Sequence, residues 1–131
     1  MAITGAIDLV SDGEKCYVIR NGRPEVGKIT GTGCQLSGMM TAFLVANPDN
    51  HLEAAAAAVC TMGLAGEIGW SRMQEGDGNS TYRNRIIDAV YNMDASTLDK
   101  LPLYTCSCLL YTIALTASFK SAAAFLISFC A

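Results

Sequence analysis

The spacing of apolar residues changes character once along the chain, close to residue 34. Before that point the runs "AIDLV" (6–10) and "KCYVIR" (15–20) are short and β-rich, with "SDGE" between them. Asp12-Gly13 suits a two-residue hairpin turn, because it adopts positive φ at little cost. Asn21-Gly22 is a second such signal, followed by Pro24 and "EVGKI", so the pattern predicts a three-stranded meander over residues 6–29. The opening "MAITG" reads as the end of a buried strand whose earlier partners are absent, which predicts that Met1 is not the start of the natural fold.

Beyond residue 34, Leu36, Met39, Met40, Phe43 and Leu44 recur at helical spacing until "NPDN" interrupts them. A second helix is predicted from Asn50, a capping residue with Glu53 three positions on, to about Met73. Its interior is mostly alanine, with Gly63, Gly66 and Gly69 three residues apart. Glycine inside a helix costs roughly 1 kcal/mol relative to alanine. A stripe of three therefore predicts a second backbone packed very close. After the loop "EGDGNS", the segment "TYRNRIIDAVYNMD" predicts a third helix with Ile86, Ile87, Val90 and Tyr91 on one face. Strands, a glycine turn and then helices give an α/β layered domain.

At 131 residues the chain has the size of one domain, 51% of it hydrophobic and 16% charged. A net charge of −3 supplies no electrostatic footprint for nucleic acid or an anionic membrane surface. The six cysteines form no CxxC pair and His51 is the single histidine, so no zinc site is expected. With no secretory n-region or cleavage site at the start, the thiols are read as reduced and the compartment as cytoplasmic. From Leu101 onward the run carries one charge, Lys120, and no glycine. It approaches the ~20 apolar residues of a membrane helix, but it is rich in Ser and Thr and bracketed by Pro102 and Lys120. Residues 100–131 are read as a tail outside the domain at 1–99, an aggregation hazard where exposed and without a function of their own.

The chemistry concentrates in "KITGTGC". The first amides of a helix lack intrahelical partners, and the dipole leaves partial positive charge there. A Gly31-Thr32-Gly33 lead-in lets backbone approach a ligand without Cβ clashes, which suits a phosphate or a phosphoryl oxygen. Cys34 falls at the helix start, where the dipole favours a thiolate able to take a proton from a substrate hydroxyl. A threonine-capped helix start with a small buried cysteine explains the same residues, and the motif alone leaves both readings open. A Walker loop is excluded because Cys34-Gln35 stands in place of Lys-Ser/Thr, and a dinucleotide fingerprint because Leu36 stands where a third glycine belongs.

At "ITGTGCQLSG" the sequence resembles the hydroxyethylthiazole kinases, a branch of the ribokinase-like superfamily. The stretches "ITGAIDLVSDGEKCYVIRNG", "AAAAAVCTMGLAGEIGW" and "GDGNSTYRNRIIDAVYNM" support the resemblance in the family's order. It implies a ribokinase-like three-layer α/β sandwich, truncated to its C-terminal half as a short β-meander followed by helices. It implies transfer of the γ-phosphoryl group of ATP, with Mg2+, to the hydroxyl of hydroxyethyl-methylthiazole in thiamine biosynthesis and salvage. On the same resemblance Cys34 is catalytic, Gly31 contacts the thiazole alcohol, Gly31, Thr32 and Gly33 form the anion hole, and Thr4 contacts ATP. The magnesium ligands stay unassigned. The family's domain is expected to be about twice the matched length, with the thiazole pocket in the missing half, an open edge of a parallel sheet left behind, and a homotrimer as the family's assembly. An inactive remnant that binds nucleotide, or nothing, is the alternative. A relative acting on a pyrimidine or pyridoxal-type alcohol is disfavoured by Cys34. His51, Arg83 and Arg85 are read as solvated helix residues, and Trp70 with Met39, Met40, Met62 and Met73 as packing.

Overall fold

A computed structural model describes residues 1–98, so the expected boundary at residue 99 and the apolar run beyond it lie outside the described residues. The order is β1 (Ala2–Ile3), β2 (Asp8–Ser11), β3 (Cys16–Ile19), a 3-10 helix (Pro24–Lys28), α1 (Thr32–Ala46), α2 (His51–Ser71), α3 (Asn79–Tyr91) and α4 (Ala95–Leu98). The class is α/β, and a meander followed by helices is present, but its strands are not all those expected. The three strands pair antiparallel in sequence order, with Ile3 opposite Leu9 and Leu9 opposite Val18. Among the described residues there is no parallel pair, in contrast to the parallel sheet the resemblance implied.

The opening stub becomes the third strand, while "EVGKI" coils into the 3-10 helix. Pro24 removes a ladder donor and presets φ for a helical first turn. Gly22, at φ 110°, turns the chain away from β3 just before it. The stub is exposed rather than buried, with Ile3 52% exposed. The β2–β3 loop also exceeds two residues: Gly13 takes φ 101°, and Asp12 Oδ1 accepts the amides of Glu14 (2.9 Å) and Lys15 (2.7 Å).

Strand alternation sends Val10, Tyr17 and Ile19 inward against Leu52, Ala55, Ala56 and Val59 of α2. The opposite side of α2, through Ala54, Ala57, Ala58, Met62 and Ala65, meets Met39 and Phe43 of α1 and Tyr82, Ile86 and Ala89 of α3. Leu36, Met40 and Leu44 of α1 touch both clusters. By length and composition α2 could cross a membrane, yet most of it is buried inside this fold. Its alanines are what make that possible: with a methyl as the only side chain, neighbours approach from several directions.

Two expected details differ. Asn50 makes no side-chain cap, and Glu53 instead accepts a hydrogen bond from the Tyr17 hydroxyl (3.3 Å), so the side chain that could have closed a capping box ties α2 to β3. On α3, Ile86 and Val90 pack inward, while Ile87 (42%) and Tyr91 (70%) are exposed. The contact line runs through Tyr82, Ile86 and Ala89 of α3 and on to Met93 beyond its end, and Ile87 and Tyr91 lie off it.

The glycine stripe does admit close neighbours. A Cβ at Gly69 would lie 3.1 Å from the Ile86 amide nitrogen, against the backbone of α3. At Gly63 it would meet the Asn21 side chain at 2.8 Å, and at Gly66 the Val26 methyl at 2.7 Å. Only at Gly69 is the obstacle a backbone, as the stripe predicted; the other two accommodate side chains.

Gly69→Ala is expected to lower stability by about 1–3 kcal/mol, because forcing α3 outward outweighs the gain of about 1 kcal/mol in helix propensity; chemical denaturation measures it. A second expectation concerns Asp8, whose carboxyl is pushed above its ordinary value of 3.8 by burial, against the lowering effect of the Gly5 amide. A raised carboxyl favours the protonated fold, so its stabilising contribution is full below about pH 3.8 and lost as pH rises through the raised pKa. Asp8→Asn should therefore raise the thermal midpoint at pH 7, with the gain vanishing on acidification below that range.

Candidate functional site

The segment leading into α1 is built for an abrupt turn. The 3-10 helix closes with the Ile29 amide donating to the Val26 carbonyl at 3.0 Å, and Ile29, only 5% exposed, anchors that end in the core. Gly31 follows at φ 95° and ψ −3°, a left-handed conformation that penalises any residue with a Cβ. The Thr32 hydroxyl donates backwards to the Ile29 carbonyl (3.2 Å), bracing the turn rather than capping the helix.

The first hydrogen bond of α1 runs from the Gln35 amide to the Gly31 carbonyl at 3.0 Å. The amides of Thr32, Gly33 and Cys34 precede it and have no intrahelical acceptor, and no side chain caps them. Gly31, Gly33 and Cys34 are exposed, and a Cβ built at either glycine meets nothing within 4 Å. Both elements of the capped-helix explanation are thus missing, since no threonine cap forms and Cys34 is not buried. Three amides at the positive end of a fifteen-residue helix, beside an accessible sulfur, can receive an anion and a proton.

Not every expected residue joins this group. Thr4 lies exposed in the β1–β2 connection, and no hydrogen bond among the described residues links it to the 31–34 turn. Arg83 is exposed as expected, whereas Arg85 is half-buried and bonded to Asp77 at 3.0 Å, holding the 74–78 loop against α3. His51 is exposed at the start of α2. Trp70 stands edge-on to Tyr82 at 5.3 Å, with the Arg23 guanidinium 5.2 Å from its ring. No three His, Cys, Asp or Glu side chains converge on a metal position among the described residues. No residue is assigned to magnesium.

Contacts that fix the turn were not singled out from the sequence. The Asn79 side-chain amide donates to the Lys28 carbonyl (3.4 Å), and the Gly22 amide donates to Glu67 Oε1 (2.7 Å). Their separations of 51 and 45 residues leave no local pattern to read.

The model of the hydroxyethylthiazole kinase family matches residues 1–96. A hydroxyethylthiazole kinase of Clostridium acetobutylicum is 53% identical over 104 residues, covering 79% of this chain and 38% of its own length. The maize (Zea mays) and Arabidopsis thaliana enzymes of the same name are 38% and 36% identical, over 75% and 76% of this chain. The match covers 34% and 35% of those two proteins, so the chain spans little more than a third of the curated relatives it matches, less than the half that was expected. With its glycine turn, alanine-rich helix and closing helix all inside the matched region, the chain belongs to the hydroxyethylthiazole kinase family.

Proposed function

We propose that residues 1–99 carry the phosphoryl-accepting part of an ATP-dependent kinase that phosphorylates the hydroxyl of hydroxyethyl-methylthiazole in thiamine biosynthesis and salvage. The observation that carries this is the open, uncapped turn of Thr32, Gly33 and Cys34 in a chain of this family. ATP supplies the phosphoryl group. The anion hole implied by the resemblance is Gly31, Thr32 and Gly33. In the turn as folded, the amides of Thr32, Gly33 and Cys34 donate to the terminal oxygens, and their fixed direction stabilises charge as the bond to the leaving oxygen lengthens. Gly31 and Gly33 keep the approach clear, because neither presents a side chain to the incoming alcohol.

Cys34 is assigned the proton. As the acceptor hydroxyl forms its new bond to phosphorus, the exposed sulfur takes the hydroxyl proton, and ADP departs with the electron pair of the broken bond. Thr4 is assigned to ATP by its place in the family's motif, and Gly31 to the acceptor alcohol. In this proposal the described α/β unit is the C-terminal part of a ribokinase-like three-layer sandwich, and the apolar outer row of Ile3 and Leu9 belongs to a surface that the rest of that domain covers. Magnesium arrives with ATP, and its ligands are unassigned. The setting is cytoplasmic.

The test is a kinase assay with the thiazole alcohol and Mg-ATP, on this chain alone and with the remaining segment of the Clostridium acetobutylicum relative supplied as a second polypeptide. Turnover is expected in the second arrangement, and its absence in both would defeat the assignment. Cys34→Ala is expected to lower turnover by roughly 10²–10⁴-fold, the usual contribution of a positioned acid or base. ATP affinity by calorimetry should stay nearly unchanged, because the amides that hold the phosphate are main-chain.

A further inference from the structure

Between β3 and the candidate turn, the chain depends on α2 for its position. Asn21 is buried and donates from Nδ2 to the Cys60 carbonyl at 2.7 Å, its amide lying across Gly63. Val26 seats in the space left by Gly66, and Arg23 reaches over Trp70. Residues 60, 63, 66, 67 and 70 fall on one side of α2 by their three- and four-residue spacing. Between Asn21 and Glu67 stands Gly22, whose left-handed φ turns the chain and whose amide donates to Glu67 Oε1 at 2.7 Å.

These anchors are unequal. Asn21 is only half satisfied, since its Oδ1 has no partner. The Arg23–Glu25 ion pair (3.1 Å) lies within the segment itself and ties it to nothing else. The Gly22–Glu67 bond is charge-assisted and joins main chain to α2 directly, which makes it the strongest single constraint on where the segment starts. From there the 3-10 helix and the buried Ile29 transmit that position to Gly31.

We propose that Glu67 is a positioning residue for the candidate phosphate-accepting turn. By holding the Gly22 amide, it fixes one end of a stiff segment whose other end presents the amides of Thr32, Gly33 and Cys34. The proposal rests on reading that turn as the phosphoryl site, but the constraint itself is measurable without ATP.

The experiment follows amide hydrogen exchange by NMR at Ile29 and Gln35, whose acceptors are the Val26 and Gly31 carbonyls at the two sides of the turn. Glu67→Ala is expected to speed exchange at both by roughly tenfold through local opening. Glu67→Gln, which keeps an acceptor oxygen, should restore most of the protection. Ile86→Val, a core change on α3, should lower the thermal midpoint and leave those two amides alone. Should Glu67→Ala fail to fold, Glu67→Asp withdraws the carboxylate by one methylene and gives the same reading. Unchanged exchange in the Glu67 variants, or equal acceleration by Ile86→Val, overturns the proposal. Calorimetry with ATP separates the two levels. Binding by the wild type that is not weakened by Glu67→Ala overturns the positioning role. A wild type that binds no ATP but shows the exchange pattern overturns the functional reading and leaves the constraint standing.

Discussion

The close packing allowed by small residues on α2 is the constraint from which the rest of the structure follows. A helix lined with alanine and glycine offers little side-chain area of its own. Its partners must come near for any apolar surface to be removed from water, and here the sheet, α1, α3 and the 21–28 segment all do so. Packing at such short range is intolerant of added volume, because interiors at crystal-like density have no slack to absorb a methyl group. The tolerance differs along the stripe. At Gly69 the neighbour is main chain, which does not yield, whereas at Gly66 it is a valine methyl.

That rigidity reaches the candidate site without any site residue belonging to α2. The turn at Gly31 lies between two anchored pieces, a 3-10 helix seated on α2 and a helix packed along it. A concave set of amides is useful for binding an anion only when it is held in place beforehand, since donors that must reorganise lose much of their electrostatic advantage. The exposed cysteine adds a group that can move a proton beside those donors. A site of this kind is made mostly of main chain, and the side chains near it serve geometry more than contact.

Much of this was legible along the chain. Helical spacing in α1 and α3, and a long alanine-rich run opening at Asn50 in α2, located all three long helices to within a few residues. The glycine turns were visible for a local reason, since positive φ favours glycine: Gly22 adopts it as expected, and Gly31, read as leaving room for a ligand, adopts it too. The expected strand at "EVGKI" was a misreading of a short apolar run beside a proline, where strand and 3-10 helix differ by little in composition. The expected cap at Asn50 and Glu53 failed because a tyrosine on β3 took the glutamate.

By itself, then, the sequence determined the helices, the left-handed turn and the family, since each depends on neighbours in the chain or on residues matched in order. Tertiary structure alone decided that the opening stub pairs as an edge strand, that Ile87 and Tyr91 face outward, and that Glu67 holds the approach to the turn. These outcomes depend on which distant surface reaches a residue first, and a hydrogen bond spanning 45 residues leaves no periodic trace in the order of amino acids.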